Sequence, residues 1–216
     1  MPPASDPRDH PTGELSERDV DPDPIRQFVV WLSDAERAGL PQPEAMALAT
    51  STVDGLPSVR MVLLKGVDER GFVFYTNLES RKGQELAANP RAAFAIHWQE
   101  LYRQVRATGI VSPVSQEEAD AYFASRPRGA QLAAVASPQS RVLRSREELL
   151  EAYRRLEAEL AGRDVSRPPN WGGFRLIPDE MELWQGRENR LHDRLRYTRL
   201  PQATSPSGWL IERLAP

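Results

Sequence analysis

The side chains in this chain that can do chemistry are mostly cations, and their spacing points to anions. The first group is Arg60-Met61-Val62-Leu63-Leu64-Lys65, an apolar run bracketed by two positive charges and closed by Gly66. Consecutive large apolar residues predict a buried strand. An unpaired buried cation costs several kcal/mol, so something anionic is expected beside Arg60 and Lys65. Cations at strand ends also snorkel to water, and this stretch alone leaves both readings open. The second group is Arg81-Lys82, immediately after Ser80. Cations in a first helical turn face the positive pole of the helix dipole. A bound anion reverses that penalty, because free N–H groups, dipole and side chains then converge on it. We favour that reading over two solvated surface cations.

Tyr122 and Arg126 lie four apart and share a helix face. A phenol and a guanidinium together suit a phosphate ester, although alone the pair reads as ordinary surface. The last group is Arg190-Leu191-His192-Asp193-Arg194-Leu195-Arg196. In a strand, Arg190, His192, Arg194 and Arg196 point one way and Leu191, Asp193 and Leu195 the other. Such a face needs counter-charge, from acidic neighbours or from a bound anion. Within this array we prefer the anion.

Composition narrows the chemistry further. The chain has 216 residues, 40% hydrophobic and 27% charged, which suits one globular domain with a real core. A net charge of -3 argues against a general nucleic-acid binder. With no cysteine, thiolate metal sites and cysteine nucleophiles are excluded. The three histidines, His10, His97 and His192, are far apart and form no HExxH pair, so no metal site is expected. No Walker A or GxGxxG loop, nucleophile elbow or paired-carboxylate signature occurs. Side chains that bind anions but supply no nucleophile leave the hard chemistry to a cofactor. No apolar run approaches membrane-spanning length and no leader pattern is present, so a cytoplasmic protein is expected.

The elements that must position these groups can be read in order. Residues 1–22, rich in Pro and Asp, are expected to be a flexible N-terminal segment, with residues 23–216 forming a single domain. Asp23 and Pro24 open a helix whose apolar face is Phe28, Trp31, Leu32 and Ala35. Ala45–Thr50 reads as a strand, Ser58–Lys65 as the next, and Phe72–Thr76 as its hairpin partner across a polar connection. Ser80 opens a helix that stops at Asn89-Pro90. Ala92–Trp98 and Gln104–Val111 read as strands. Ser115 with Glu118, and Ser145 with Glu148, are capping boxes for two further helices. A short buried helix is expected at 129–136. Phe174–Ile177, Met181–Trp184, Arg190–Tyr197 and Trp209–Arg213 read as strands. About eight strands joined at hairpin scale, with about four helices, favour an antiparallel barrel over a βαβ fold.

These stretches, taken in order, resemble the pyridoxamine/pyridoxine 5′-phosphate oxidase family from about Asp21 to Pro216. The resemblance rests on Arg60–Lys65, Phe74-Tyr75-Thr76-Asn77, Ser80-Arg81-Lys82-Gly83, Arg103-Gln104-Val105, Tyr122–Arg128, Ser137-Pro138-Gln139-Ser140, Trp171-Gly172-Gly173-Phe174, Trp184-Gln185-Gly186, Arg190–Arg194 and Glu212–Pro216. It implies a mainly β fold, an antiparallel FMN-binding split β-barrel of Greek-key type with four to five flanking helices. It implies a homodimer with FMN at the interface and no membrane or nucleic-acid partner. The implied reaction takes pyridoxine or pyridoxamine 5′-phosphate, a small phosphorylated vitamin B6 substrate, to pyridoxal 5′-phosphate. O₂ becomes H₂O₂, and the amine releases ammonia. By the same resemblance Arg60, Met61, Val62, Leu63, Leu64, Lys65, Tyr75, Thr76, Arg81, Lys82, Gln104, Gln139, Ser140, Trp184 and Arg194 contact FMN. Lys65, Tyr122 and Arg126 hold the substrate phosphate, and Arg190 and His192 flank the reacting face.

Departures from the family pattern touch the substrate side. Ala130 stands where the family usually has a serine on the substrate phosphate; one hydrogen bond lost to a charged group costs about 1.5–3 kcal/mol. Ala133-Ala134-Val135 replaces Gly-Ala-Trp, and Pro7-Arg8-Asp9-His10 replaces an Arg-Arg-Glu-Tyr segment. These changes keep two alternatives in view: a related FMN oxidase acting on another reduced aromatic of the dihydrophenazine type, and a non-catalytic binder of flavin or pyridoxal phosphate.

Overall fold

The Asp23 carboxylate accepts a hydrogen bond from the Ile25 amide at 2.9 Å, and Pro24 takes the first position of α1 (Pro24–Arg37), as the capping pattern predicts. The computed structural model describes residues 14–201 and 207–216. Beyond α1 the chain forms β1 (Ala45–Ser51), β2 (Pro57–Leu63), β3 (Gly66–Asp68), β4 (Gly71–Asn77), α2 (Arg81–Ala88), β5 (Arg91–Trp98) and β6 (Arg103–Pro113). There follow α3 (Gln116–Ser125), α4 (Arg128–Ala136), α5 (Arg146–Glu159), β7 (Trp171–Gln185), β8 (Asp193–Arg199) and β9 (Trp209–Arg213). Ser80, Ser115 and Ser145 each accept a hydrogen bond from the amide three residues on, so the three predicted starts are observed.

All strand pairs are antiparallel, in the order β2-β1-β5-β6-β7-β4-β3, with β8 and β9 continuing from β7. This is the mainly antiparallel, curled half-barrel expected, with five α-helices among the described residues. The strand β7 is the backbone of the split. Its first half pairs with β4 (Phe74↔Phe174), its second half with β8 (Leu183↔Leu195), and β6 follows it throughout. Phe174–Ile177 and Met181–Trp184, expected as two strands, are therefore one. Pro178 interrupts the pattern in sequence, but the sheet absorbs it in a register shift between Thr108 and Gly109. A Cβ on Gly109 would sit 2.0 Å from the Ile177 carbonyl oxygen, so only glycine lets the strands close there.

Two packed clusters fill the interior. The larger joins α1 to the barrel through Phe28, which meets Phe72 edge-on at 5.0 Å; Phe72 meets Phe94 at 4.9 Å. The smaller sits under α3, α4 and α5 and contains Phe123, Leu132, Val165 and Trp171, with the α5 stripe of Tyr153, Leu156 and Leu160 against it. In α4 only Gln131 and Leu132 are buried.

Three expectations need correction. The run at Arg60–Lys65 is not a buried strand: β2 is the edge strand, and Val59 and Met61 are 71% and 65% exposed. Its hairpin partner is β1, not the segment 72–76, which pairs with β3 and β7. Residues 14–22, expected to be mobile, are tied to the barrel. Leu15 is buried and its amide donates to Asp193, while the Tyr197 hydroxyl donates to the Asp21 carbonyl at 3.0 Å. The substituted segment 7–10 lies outside the described residues.

Gly83 tests how tightly α2 is seated. A Cβ there would meet the Leu78 carbonyl oxygen at 2.2 Å, so Gly83→Ala must push the helix off the turn before it. The expected cost is about 1–3 kcal/mol, read as a thermal midpoint lowered by several degrees in calorimetry. An unchanged midpoint would show that α2 shifts freely.

Candidate cofactor-binding cleft

A cleft of about 780 Å³ opens between the β2 edge, the end of β4, the start of α2 and the α3–α4 corner. It gathers most of the residues singled out in the sequence: Arg60, Met61, Val62, Leu63, Lys65, Tyr75, Thr76, Arg81, Lys82, Tyr122, Arg126, Gln139 and Ser140. Leu64 is not among them; its side chain is buried in the core. The 57–63 strand brings its own side chains, β4 brings Tyr75 and Thr76, and the Ser80 cap sets where α2 begins. Ser140 sits in the left-handed region (φ 72°), in the loop that brings Gln139 across to Thr76.

The electrostatics of the floor centre on Lys82, which is only 7% exposed. Its Nζ donates to Thr76 Oγ1 at 2.9 Å, Gln139 Oε1 at 3.0 Å and Ser80 Oγ at 3.3 Å. Every partner is neutral. Burial, reinforced by the charge of Arg60, pushes its pKa down to about 8. Arg60 is tied back, donating to the Leu48 carbonyl at 3.3 Å, Thr50 Oγ1 at 2.6 Å and Glu85 at 3.4 Å. Arg81 uses its Nε on Glu85 at 2.8 Å. Lys65 has only a loose pairing, 3.6 Å from Glu44.

The opposite wall is aromatic. Tyr75 stacks on Tyr122 with ring centroids 4.0 Å apart, and on Trp171 at 5.4 Å. The Arg126 guanidinium lies 4.9 Å over the Trp171 ring, and its Nη1 is buried without a hydrogen-bond partner among the described residues. Burial lowers the Arg126 pKa and raises that of Tyr122. Burial first, then the Glu118 charge, pushes the Tyr75 phenol up to about 12, so it stays protonated. A buried guanidinium nitrogen without an acceptor and a buried ammonium with only neutral partners are two places that suit phosphate oxygens. The donor set therefore fits a phosphorylated cofactor lying beside a phosphorylated substrate. Trp171 and Glu85 carried no assignment from the sequence. Glu85 was detectable, since it stands four residues after Arg81 on one helix face.

The remaining expected residues form a separate group that does not line this cleft. Gln104 faces Trp184 across β6 and β7, and Trp184 faces Arg194 across β7 and β8. The strand expected from Arg190 begins only at Asp193; Arg190 (φ 60°) ends a short 3-10 turn, Glu188–Arg190, and His192 sits in the link that follows it. The supposed cationic face is balanced within the chain. Arg194 forks onto Glu182 at 2.9 and 3.1 Å, and Arg196 pairs with Glu212 at 2.7 Å. Acidic neighbours supply counter-charge to these two arginines. The His192 ring lies 4.6 Å from Trp184, and its Nδ1 accepts the Arg187 amide at 3.0 Å. The ring proton of neutral His192 is therefore on Nε2. Among the described residues no cluster suits a metal ion, and no helix is long and apolar enough to cross a membrane.

Comparison with known proteins follows the same division. Residues 32–158 match the family model described as pyridoxamine 5′-phosphate oxidase. Residues 171–216 match the pyridoxine 5′-phosphate oxidase C-terminal dimerisation region, which supports a homodimer. A pyridoxine/pyridoxamine 5′-phosphate oxidase of Rubrobacter xylanophilus is 56% identical over 97% of this chain and 94% of its own length. The protein of that name from Burkholderia multivorans is 56% identical over 94% of this chain and 93% of its own. Among solved structures, PhzG from Burkholderia lata 383 in complex with tetrahydrophenazine-1-carboxylic acid superposes with a TM-score of 0.86. It is 35% identical, covering 94% of this chain and 98% of that one. A Nostoc punctiforme FMN binding protein shares the fold with a TM-score of 0.73 at 21% identity.

The buried ammonium gives a pH test. Lys82 holds its charge below about pH 8 and loses it above, earlier than an ordinary lysine at 10.5. A phosphate monoester is mostly dianionic above about pH 6 and favours the charged amine. Binding therefore takes up a proton once the pH exceeds 8. FMN affinity, measured by flavin fluorescence titration, is expected to hold up to about pH 8 and fall above it, while riboflavin affinity stays level. An FMN affinity constant from pH 7 to 9.5 would contradict this.

Proposed function

Because this chain belongs to the pyridoxamine 5′-phosphate oxidase family, whose cofactor is FMN, we propose that it oxidises pyridoxine or pyridoxamine 5′-phosphate to pyridoxal 5′-phosphate, with O₂ as acceptor. The observation that carries this reading is the buried Arg126 Nη1, without a hydrogen-bond partner among the described residues, beside the Tyr75–Tyr122–Trp171 stack. A phosphate on a flat aromatic ring satisfies both features at once. A bound FMN would supply the two-electron redox chemistry that links substrate oxidation to reduction of O₂ to H₂O₂.

The chain's own residues bind and orient. Arg81, Lys82, Thr76, Gln139 and Ser140 hold the cofactor phosphate and the adjoining chain, and Arg60–Lys65 run along the cofactor. Lys65, Tyr122 and Arg126 hold the substrate phosphate. His192, its Nδ1 occupied by the Arg187 amide, offers an Nε2–H donor to the substrate, and Arg190 adds a positive charge to the same loop. Gln104, Trp184, Arg190, His192 and Arg194 do not reach the cleft of their own protomer. We assign them to the cleft of the partner in the homodimer, with FMN at the interface. Positioning of this kind converts a bimolecular reaction into an intramolecular one.

A second reading rests on a specific observation. Ala130 offers no hydroxyl, and the cleft wall at Ala133 and Ala134 is small. Those features, with the likeness to PhzG, suit a larger reduced aromatic such as a dihydrophenazine.

Aerobic incubation of the FMN-loaded protein with pyridoxine 5′-phosphate decides between the readings. Aldehyde and peroxide are expected in equal amounts. Neither product, with turnover of a dihydrophenazine carboxylate instead, would hand the function to the second reading. Arg126→Ala is expected to raise KM for the phosphorylated substrate about 10- to 100-fold with FMN affinity unchanged. Ala130→Ser is expected to lower that KM, and an unchanged value counts against a phosphate at this corner.

A further inference from the structure

Glu85 is a buried carboxylate that does not itself line the cleft but touches two of the cations that do. It is 6% exposed and accepts hydrogen bonds on both oxygens. Its Oε2 takes the hydroxyls of Thr50 and Ser58, the latter at 2.5 Å, and Arg60 Nη2 at 3.4 Å. Its Oε1 takes Arg81 Nε at 2.8 Å. The two hydroxyls also accept from Arg60, Thr50 Oγ1 at 2.6 Å and Ser58 Oγ. Two cations from different elements, β2 and α2, thus meet on one carboxylate, and each hydroxyl spends its single proton on it.

The consequence for each cation is different. Arg60 has both terminal nitrogens engaged, so its position is fixed by the barrel. Arg81 spends only its Nε; its side chain is 56% exposed and lines the cleft with neither terminal nitrogen bonded among the described residues. Anchoring a guanidinium through Nε aims the two terminal nitrogens outward as a fork, the geometry that matches a phosphate. Burial alone would raise the pKa of Glu85, but the hydrogen bonds from Ser58, Thr50 and Arg81 outweigh it and hold the carboxyl down at about 2, so the anchor stays ionised.

We propose that Glu85 is a positioning residue for the cofactor phosphate: it holds Arg81 and Arg60 against their mutual repulsion, so that Arg81 meets the phosphate pre-aimed. The proposal rests on the cleft being the FMN site. Two expectations then oppose each other. If Glu85 acted only as a nearby negative charge, Glu85→Gln would make the site more positive and tighten binding of a dianion. If Glu85 positions, Glu85→Gln weakens it. Glutamine offers one acceptor oxygen where the carboxylate has two, and its amide nitrogen must face donors at one of the two ends.

The test compares FMN with riboflavin, which carries the same ring system and no phosphate, by fluorescence titration on the purified full chain. The wild-type protein must first bind FMN more tightly than riboflavin; failure there removes the cofactor reading itself. In Glu85→Gln, FMN affinity is expected to fall about tenfold and riboflavin affinity to stay within a factor of two. Placing Glu85→Gln on an Arg81→Ala background is expected to cost much less, because the group being aimed is gone. Tighter FMN binding, or equal loss for FMN and riboflavin, would overturn the proposal. Should Glu85→Gln not fold, Ser58→Ala removes one donor from Oε2 and keeps the charge. It is expected to weaken FMN and not riboflavin, and wild-type FMN affinity in that variant would overturn the proposal equally.

Discussion

Repulsion among like charges in a partly buried cleft is the constraint that the rest of this structure answers. Arg60, Arg81 and Lys82 line one wall, and Lys82 is almost fully removed from water. In a medium less polarisable than water, such a group is unfavourable unless something negative is present. The chain meets the problem in two ways. Glu85 sets one negative charge between the two arginines, while the partners of Lys82 among the described residues are neutral and its pKa is lowered. A buried ammonium without a negative partner among the described residues is the chemistry that favours an anion.

The sheet supplies the geometry. Because β7 pairs with β4 over one half and with β8 over the other, the barrel splits where the two sets of neighbours part. The cleft with its cations and aromatic stack lies at the β4 side. Trp184, Arg194 and the His192 loop lie along the β8 side, inside the segment that matches the dimerisation region. The edge strand β2 leaves Val59 and Met61 exposed, and alanines at 47, 49, 93 and 95 give the sheet a shallow apolar face near Glu182 and Arg106. A two-fold dimer repeats both groups, the cleft and the β8 side, once in each copy.

The aromatic stack has a related logic. Tyr75, Tyr122 and Trp171 come from β4, α3 and β7, and their near-parallel rings join the small core under the helices to the cleft wall. Arg126, just after α3, is held over Trp171 by ring contact alone, so its guanidinium edge is not consumed by a carboxylate. Packing energy here keeps a cation available to a ligand.

The sequence by itself determined the local events. Asp23, Ser80, Ser115 and Ser145 cap the helices they were expected to cap, since a cap is a contact within three residues. The placing of Arg81-Lys82 in the first turn of a helix was also legible, because the mismatch with the helix dipole is written in adjacent positions. The motifs of the family were legible for the same reason, and with them the fold. What only the tertiary structure decided were the long-range partners. An apolar run says it will pair but not with whom, so Arg60–Lys65 was read as interior and proved to be an edge strand joined to β1. A cationic face says it needs counter-charge but not whose, and only the fold brings Glu182 to Arg194 and Glu212 to Arg196. Glu85 makes the same point. Its spacing from Arg81 lies in the sequence, but its meeting with Thr50, Ser58 and Arg60 required β1, β2 and α2 to be brought together in space.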